Sequence, residues 1–135
     1  MTETCNLNTA ALAFMGDAVY EVYVREHVLK TGSAHSDVLH RMAVSYVSAE
    51  GQAKAIRSLM EVELTEEELA LVKRARNHKA SSSKKTRASR KGSDIMTDKM
   101  ATAFEALLGD LYLRGNKERL EELIMKAFEI IETEK

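Results

Sequence analysis

The chain has 135 residues, 44% hydrophobic and 30% charged, with one cysteine, no proline, no tryptophan and a formal net charge of −1. That balance suits a globular chain able to bury about 65–70% of its unfolded surface and excludes a disordered one; the lone Cys5 excludes an internal disulfide framework and a cysteine-rich metal site. The apolar run at 10–15 is too short for a bilayer and the first fifteen residues carry Glu3 but no Lys or Arg, so the expectation is a cytoplasmic protein without leader or membrane partner.

Scarce glycine, absent proline and apolar residues at helical spacing predict an all-α fold of five or more helices. Asn8 is a capping residue for a helix that begins at Thr9, runs to about Lys30 and stops at Thr31-Gly32. A second helical pattern starts near Ser36 and continues through Leu39, Met42, Ala43 and Tyr46 to Leu59 or Met60, with Gly51 as a point of division. Thr65 and Glu68 have the spacing of a capping box ahead of Leu69, Leu71 and Val72. A further helix is expected to start between Ser93 and Thr97 and to end at Arg114, with Gly115 as its stop. Asn116 then caps a last helix carrying Leu120, Leu123, Ile124, Ala127, Phe128 and Ile131.

Charge is unevenly spread along this order. Residues 61–68 hold five acids (Glu61, Glu63, Glu66, Glu67 and Glu68) and no base, whereas residues 73–91 hold nine bases and no acid. A basic, serine-rich loop at about 77–93 is a supply of phosphate contacts, because Lys and Arg at phosphates dominate affinity for nucleic acid. The candidates are Arg74, Arg76, Lys84, Lys85, Arg87, Arg90 and Lys91. The plain alternative is a solvated charged face.

Two apolar segments carry carboxylates. AALAFMGDAVYEVYV (10–24) is apolar on nearly every side, which predicts a buried helix, yet it holds Asp17 and Glu21 one turn apart. ATAFEALLGDLYL (101–113) holds Glu105 and Asp110, the latter rotated about 140° away from Glu105. Gly16 and Gly109 lie mid-helix, where glycine costs about 1 kcal/mol against alanine, so each suggests a close helix crossing or close approach of a ligand. The acids either pair with Lys or Arg in ordinary salt bridges, or two crossing helices present Asp17 and Glu105 to a divalent cation such as Mg²⁺. His27, His35, His40 and His78 have no metal-site spacing. Tyr20, Tyr23, Phe14, Phe104 and Tyr112 read as core or dimer interface, and Met15, Met42, Met96, Met100 and Met125 as core filler.

LAFMGDAVYEVYVR (12–25) with TAFEALLGDLYL (102–113) resembles the ribonuclease III catalytic domain, and the closer resemblance is to the Mini-ribonuclease III family, the short form made of that domain alone. DVLHRMAVSYVSAEGQAKAI (37–56) and RARNHKA (74–80) fit the same family, so the likeness spans about residues 8–130. It implies a single ribonuclease III-like helical endonuclease domain over 1–135, with no appended double-stranded-RNA-binding domain. It further implies a homodimer that cleaves double-stranded RNA with Mg²⁺ to 5′-phosphate and 3′-hydroxyl ends. Asp17 falls on the family's catalytic, metal-anchoring Asp and Glu105 on its metal-binding Glu. Two further acids of ordinary ribonuclease III are replaced here by Ala13 and Thr102, which implies a leaner metal shell; Glu21 and Asp98 are nearby acids without an assigned role. By the same resemblance the substrate is the 23S ribosomal RNA precursor, with a ribosomal protein that presents it as a candidate partner. The alternative is a non-catalytic ribonuclease III-like RNA-binding or ribosome-associated module, favoured by the loss of those two acids and opposed by the presence of Asp17 and Glu105.

Overall fold

A computed structural model of the chain describes residues 8–77 and 95–133. The described residues form six helices and no strand: α1 (Thr9–Leu29), α2 (Ser36–Val47), α3 (Ala49–Val62), α4 (Glu66–Arg76), α5 (Ile95–Leu113) and α6 (Lys117–Thr133). The all-α expectation holds.

Local chemistry sets most of the boundaries. Asn8 Oδ1 accepts a 2.8 Å bond from the Ala11 N–H, filling one of the donors that a helix start leaves open. Past the end of α1, Gly32 takes φ +94, a left-handed conformation. In the capping box of α4, Thr65 Oγ1 accepts from the Glu68 N–H at 3.1 Å and Glu68 Oε1 accepts from the Thr65 N–H at 2.9 Å. Gly115 at φ +78 follows α5, and Asn116 Oδ1 accepts from the Arg119 N–H at 3.3 Å to start α6.

The long second pattern divides at Ser48 rather than at Gly51. Ser48 adopts an extended backbone and its Oγ accepts from the Gly51 N–H at 3.1 Å, so the serine ends one helix and caps the next. Gly51 serves the corner differently, since a Cβ there would overlap the carbonyl oxygen of Ser45.

The core is built around α5, which buries residues on nearly all sides, including Met100, Ala103, Phe104, Ala106, Leu107, Leu108 and Leu111. Helices α1, α3, α4 and α6 pack against it. Tyr20 meets Phe104 edge-on with ring centroids 5.1 Å apart, and its hydroxyl donates to the Tyr46 carbonyl at 3.0 Å. At the far end of α6, Glu132 Oε2 accepts from the Tyr46 hydroxyl at 2.6 Å and lies 2.7 Å from His27 Nε2, while the His27 ring stacks on Phe128. This cluster fastens α6 to α1 and α2.

Helix α1 departs from the expected full burial. Leu12, Ala13, Gly16, Val19, Tyr20, Val24 and Val28 face inward, but Phe14 is 82% exposed and Val22 56% exposed. The helix packs on the core from one side, and nothing in the chain covers its apolar outer face among the described residues. Tyr112, Met96 and Met125 are likewise outward, not core, whereas Tyr20, Phe104 and Met100 are buried as expected.

Candidate active site

Two glycines determine where the acidic helices meet. A Cβ on Gly16 would overlap the Glu105 carbonyl oxygen, and a Cβ on Gly109 would overlap that of Leu12. The backbones of α1 and α5 are therefore in direct contact, and of the two explanations for these glycines the close crossing is the one observed. Asp17 follows Gly16, and Glu105 contributes the carbonyl that Gly16 touches, so the crossing brings both predicted acids to one locality.

Their surroundings differ from the buried setting read from sequence. Asp17 is exposed, at a position where α1 faces water, and makes no hydrogen bond or ion pair among the described residues. Glu105 and Glu21 are half-buried. The Tyr20 hydroxyl titrates well above the usual tyrosine range, chiefly through burial, with Tyr46, Glu105 and Glu21 adding charge repulsion, so these two carboxylates share its neighbourhood.

Ordinary ion pairing accounts for two of the other acids. Glu21 Oε1 accepts from Arg25 Nε at 3.1 Å, and Asp110 Oδ2, only 12% exposed, accepts from Arg114 Nε at 2.8 Å. Asp98 lies two turns before Glu105 on α5, and its backbone carbonyl accepts from Thr102 Oγ1 at 3.0 Å. Ala13 is buried and Thr102 exposed. The described residues contain no group of three or more His, Cys, Asp and Glu side chains placed to hold a metal ion. The donor chemistry of Asp17 and Glu105 suits a hard cation, since Mg²⁺ keeps several waters and is commonly held by one or two carboxylates plus substrate phosphate.

Of the predicted RNA contacts, Arg74 is exposed and Arg76 half-buried in the last turn of α4, where Lys73, Arg74 and Arg76 also complement the negative end of the helix dipole. Lys84, Lys85, Arg87, Arg90 and Lys91 lie outside the described residues. Sequence patterning did not single out Lys54 and Arg57, two bases one turn apart on the outer side of α3; that spacing was the only signal. No helix of the described residues is long and apolar enough to cross a membrane.

Comparison with known proteins gives the family. Residues 10–116 match the family model described as the ribonuclease III domain. Over 125 residues the chain is 45% identical to the Mini-ribonuclease 3 of Enterococcus faecalis, covering 92% of this chain and 90% of that one. It is 46% identical over 135 residues to the Mini-ribonuclease 3 of Brevibacillus brevis, covering 99% and 96%. A crystal structure of a Fusobacterium nucleatum protein superimposes with a TM-score of 0.80 at 26% identity, covering 95% of this chain and 98% of that one.

Proposed function

Since the chain belongs to the ribonuclease III family, and to its Mini-ribonuclease 3 branch, and is an endoribonuclease, we propose that it cleaves double-stranded RNA with Mg²⁺ at Asp17 and Glu105, leaving 5′-phosphate and 3′-hydroxyl ends. The observation that carries this is the glycine-on-glycine crossing, which sets the Glu105 backbone on α5 against Gly16, the residue before Asp17 on α1.

Asp17 and Glu105 are the groups that would hold the metal. When bound, the cation lowers the pKa of a coordinated water and offsets charge on the scissile phosphate. Glu105, on the most buried helix, is the fixed half of the pair. Asp17 faces solvent, so a substrate phosphate can reach it without displacing any protein group. Glu21 is already engaged with Arg25 and supports the local charge balance. Residues 1–135 act as one catalytic domain, and the basic stretch containing Arg74, Arg76, Lys84, Lys85, Arg87, Arg90 and Lys91 supplies phosphate contacts. An A-form duplex offers side chains its backbone and shallow groove, so these contacts read shape more than sequence.

The exposed apolar stripe of α1 (Phe14, Ala18 and Val22) is the surface we assign to a homodimer, which would set two sites about a two-fold axis, one for each strand of a duplex. The cellular substrate we assign is the 23S ribosomal RNA precursor in the cytoplasm, with a ribosomal protein as the partner that presents it.

The test is cleavage of an end-labelled RNA duplex by the wild type, Asp17→Asn and Glu105→Gln, with Mg²⁺ and with EDTA. We expect cleavage to need the metal and both carboxylates, each substitution lowering turnover by about 10²–10³-fold or more while RNA binding is retained. Cleavage by Asp17→Asn at the wild-type rate would sink the assignment.

A further inference from the structure

A groove of about 520 Å³ runs between the outer side of α3 and the beginning of α5, lined by Glu50, Lys54, Arg57, Ser58, Glu61 and Thr97. The order of charges along α3 is acid, base, base, acid. Glu50 and Glu61 stand about 16 Å apart along the helix axis, with Lys54 and Arg57 between them, so positive charge is concentrated at the middle of the groove. Arg57 is exposed and makes no hydrogen bond or ion pair among the described residues. Its guanidinium is a planar fork of donors suited to phosphate oxygens, and Ser58 and Thr97 add hydroxyl donors on either wall.

The groove shares a helix with the candidate active site. Thr97 lies eight residues before Glu105 on α5, about 12 Å along the axis. A nucleic-acid strand that has a phosphate at Glu105 and follows α5 towards its start enters the groove within a few nucleotides. The end carboxylates can accept bonds from ribose 2′-hydroxyls, a feature of RNA alone. We propose that this groove is a second RNA subsite, holding the sugar–phosphate backbone that flanks the cut, with Arg57 beside Lys54 at one phosphate. The proposal rests on double-stranded RNA being the substrate.

The experiment compares the wild type, Arg57→Glu, Arg57→Gln, Arg57→Lys and Arg41→Glu, the last on α2 and outside the groove. KM and kcat for a labelled RNA duplex are measured over a range of salt, with duplex binding measured in parallel with Ca²⁺ in place of Mg²⁺. Arg57→Glu should raise KM about tenfold, leave kcat unchanged and reduce the slope of log KM against log salt by about one, the signature of a lost phosphate contact. Arg57→Gln should show the same slope change, Arg57→Lys should keep the wild-type slope, and Arg41→Glu should leave both quantities unaltered. Wild-type KM and slope in Arg57→Glu and Arg57→Gln, or equal changes in Arg57→Glu and Arg41→Glu, would overturn the subsite while leaving the substrate assignment intact. A wild-type protein that neither binds nor cuts the duplex would overturn both. Should Arg57→Glu fail to match the wild-type circular dichroism and melting, Arg57→Gln decides the question.

Discussion

At the residue scale the decisive positions are Gly16 and Gly109. A methyl group on either would be driven into a backbone carbonyl of the other helix, and a carbonyl in a helical ladder has nowhere to go without parting the helices. Gly16→Ala should therefore destabilise the fold by about 3 kcal/mol or more, at or beyond the upper end of ordinary overpacking, and lower the melting temperature by about 10 °C. Gly32→Ala is a useful contrast, because a Cβ at Gly32 meets nothing within 4 Å and its penalty comes only from the φ of +94. A Gly16→Ala protein that melts like the wild type would mean that the crossing is looser than described. The sequence marked both glycines as out of place in mid-helix, but it left open whether a helix or a ligand required them. It also implied that Asp17 was buried. A helix that is apolar all round looks the same whether its outer face meets a core or stays outside it, and Phe14 and Val22 are exposed.

At the element scale, helix ends were legible wherever a cap is local. Asn8, Thr65 with Glu68, and Asn116 each contact a group only three residues away, so spacing alone carries the signal. The division at Ser48 was harder to see, since glycine is the stronger breaker on paper and Ser48 acts through a cap on the Gly51 N–H. The Arg119 network was not legible at all. Arg119 joins α6 to the start of α4 by two bonds to Glu68, at 2.8 and 2.9 Å, and to the end of α3 by a 2.9 Å bond to the Glu63 carbonyl, partners more than fifty residues away in the chain. Its side chain is only 16% exposed and that of Glu68 11%. The Arg119 guanidinium, aided by the Thr65 cap and opposed by burial, holds the Glu68 carboxyl below its ordinary value near 4.5. A carboxylate lowered in the folded state stabilises the protein fully above the unfolded value, and that contribution fades as pH falls through the lower folded value. The wild type should thus lose stability on acidification below about pH 4.5. Arg119→Met should cost about 2–3 kcal/mol at neutral pH, discounted for partial exposure, and should show a shallower acid loss. Thermal melts between about pH 7 and 3 read both effects; parallel acid profiles in the two proteins would remove Glu68 as a source of the pH dependence.

At the scale of the whole molecule, the distribution of apolar surface argues for a second copy. Phe14, Ala18 and Val22 recur every fourth residue, so they form one outward stripe on α1, and Asp17 lies beside that stripe. Burying Phe14 and Val22 in an interface would each contribute about 1.5–3 kcal/mol. A two-fold axis along the stripe would make each copy cover the other's Phe14 and carry the two Asp17 side chains into a fixed relation, as cutting both strands of one duplex requires. Phe14→Glu should then place unpaired charges against the interface and give a chain that sediments at 15.1 kDa, while the wild type sediments at twice that mass. The wild-type melting temperature should rise with protein concentration and that of Phe14→Glu should not, because association stabilises only the species that associates. On a duplex, the variant should nick single strands at sites where the wild type severs both. A wild type that sediments as one chain at concentrations where it cuts both strands would show that the exposed stripe serves some contact other than a second copy.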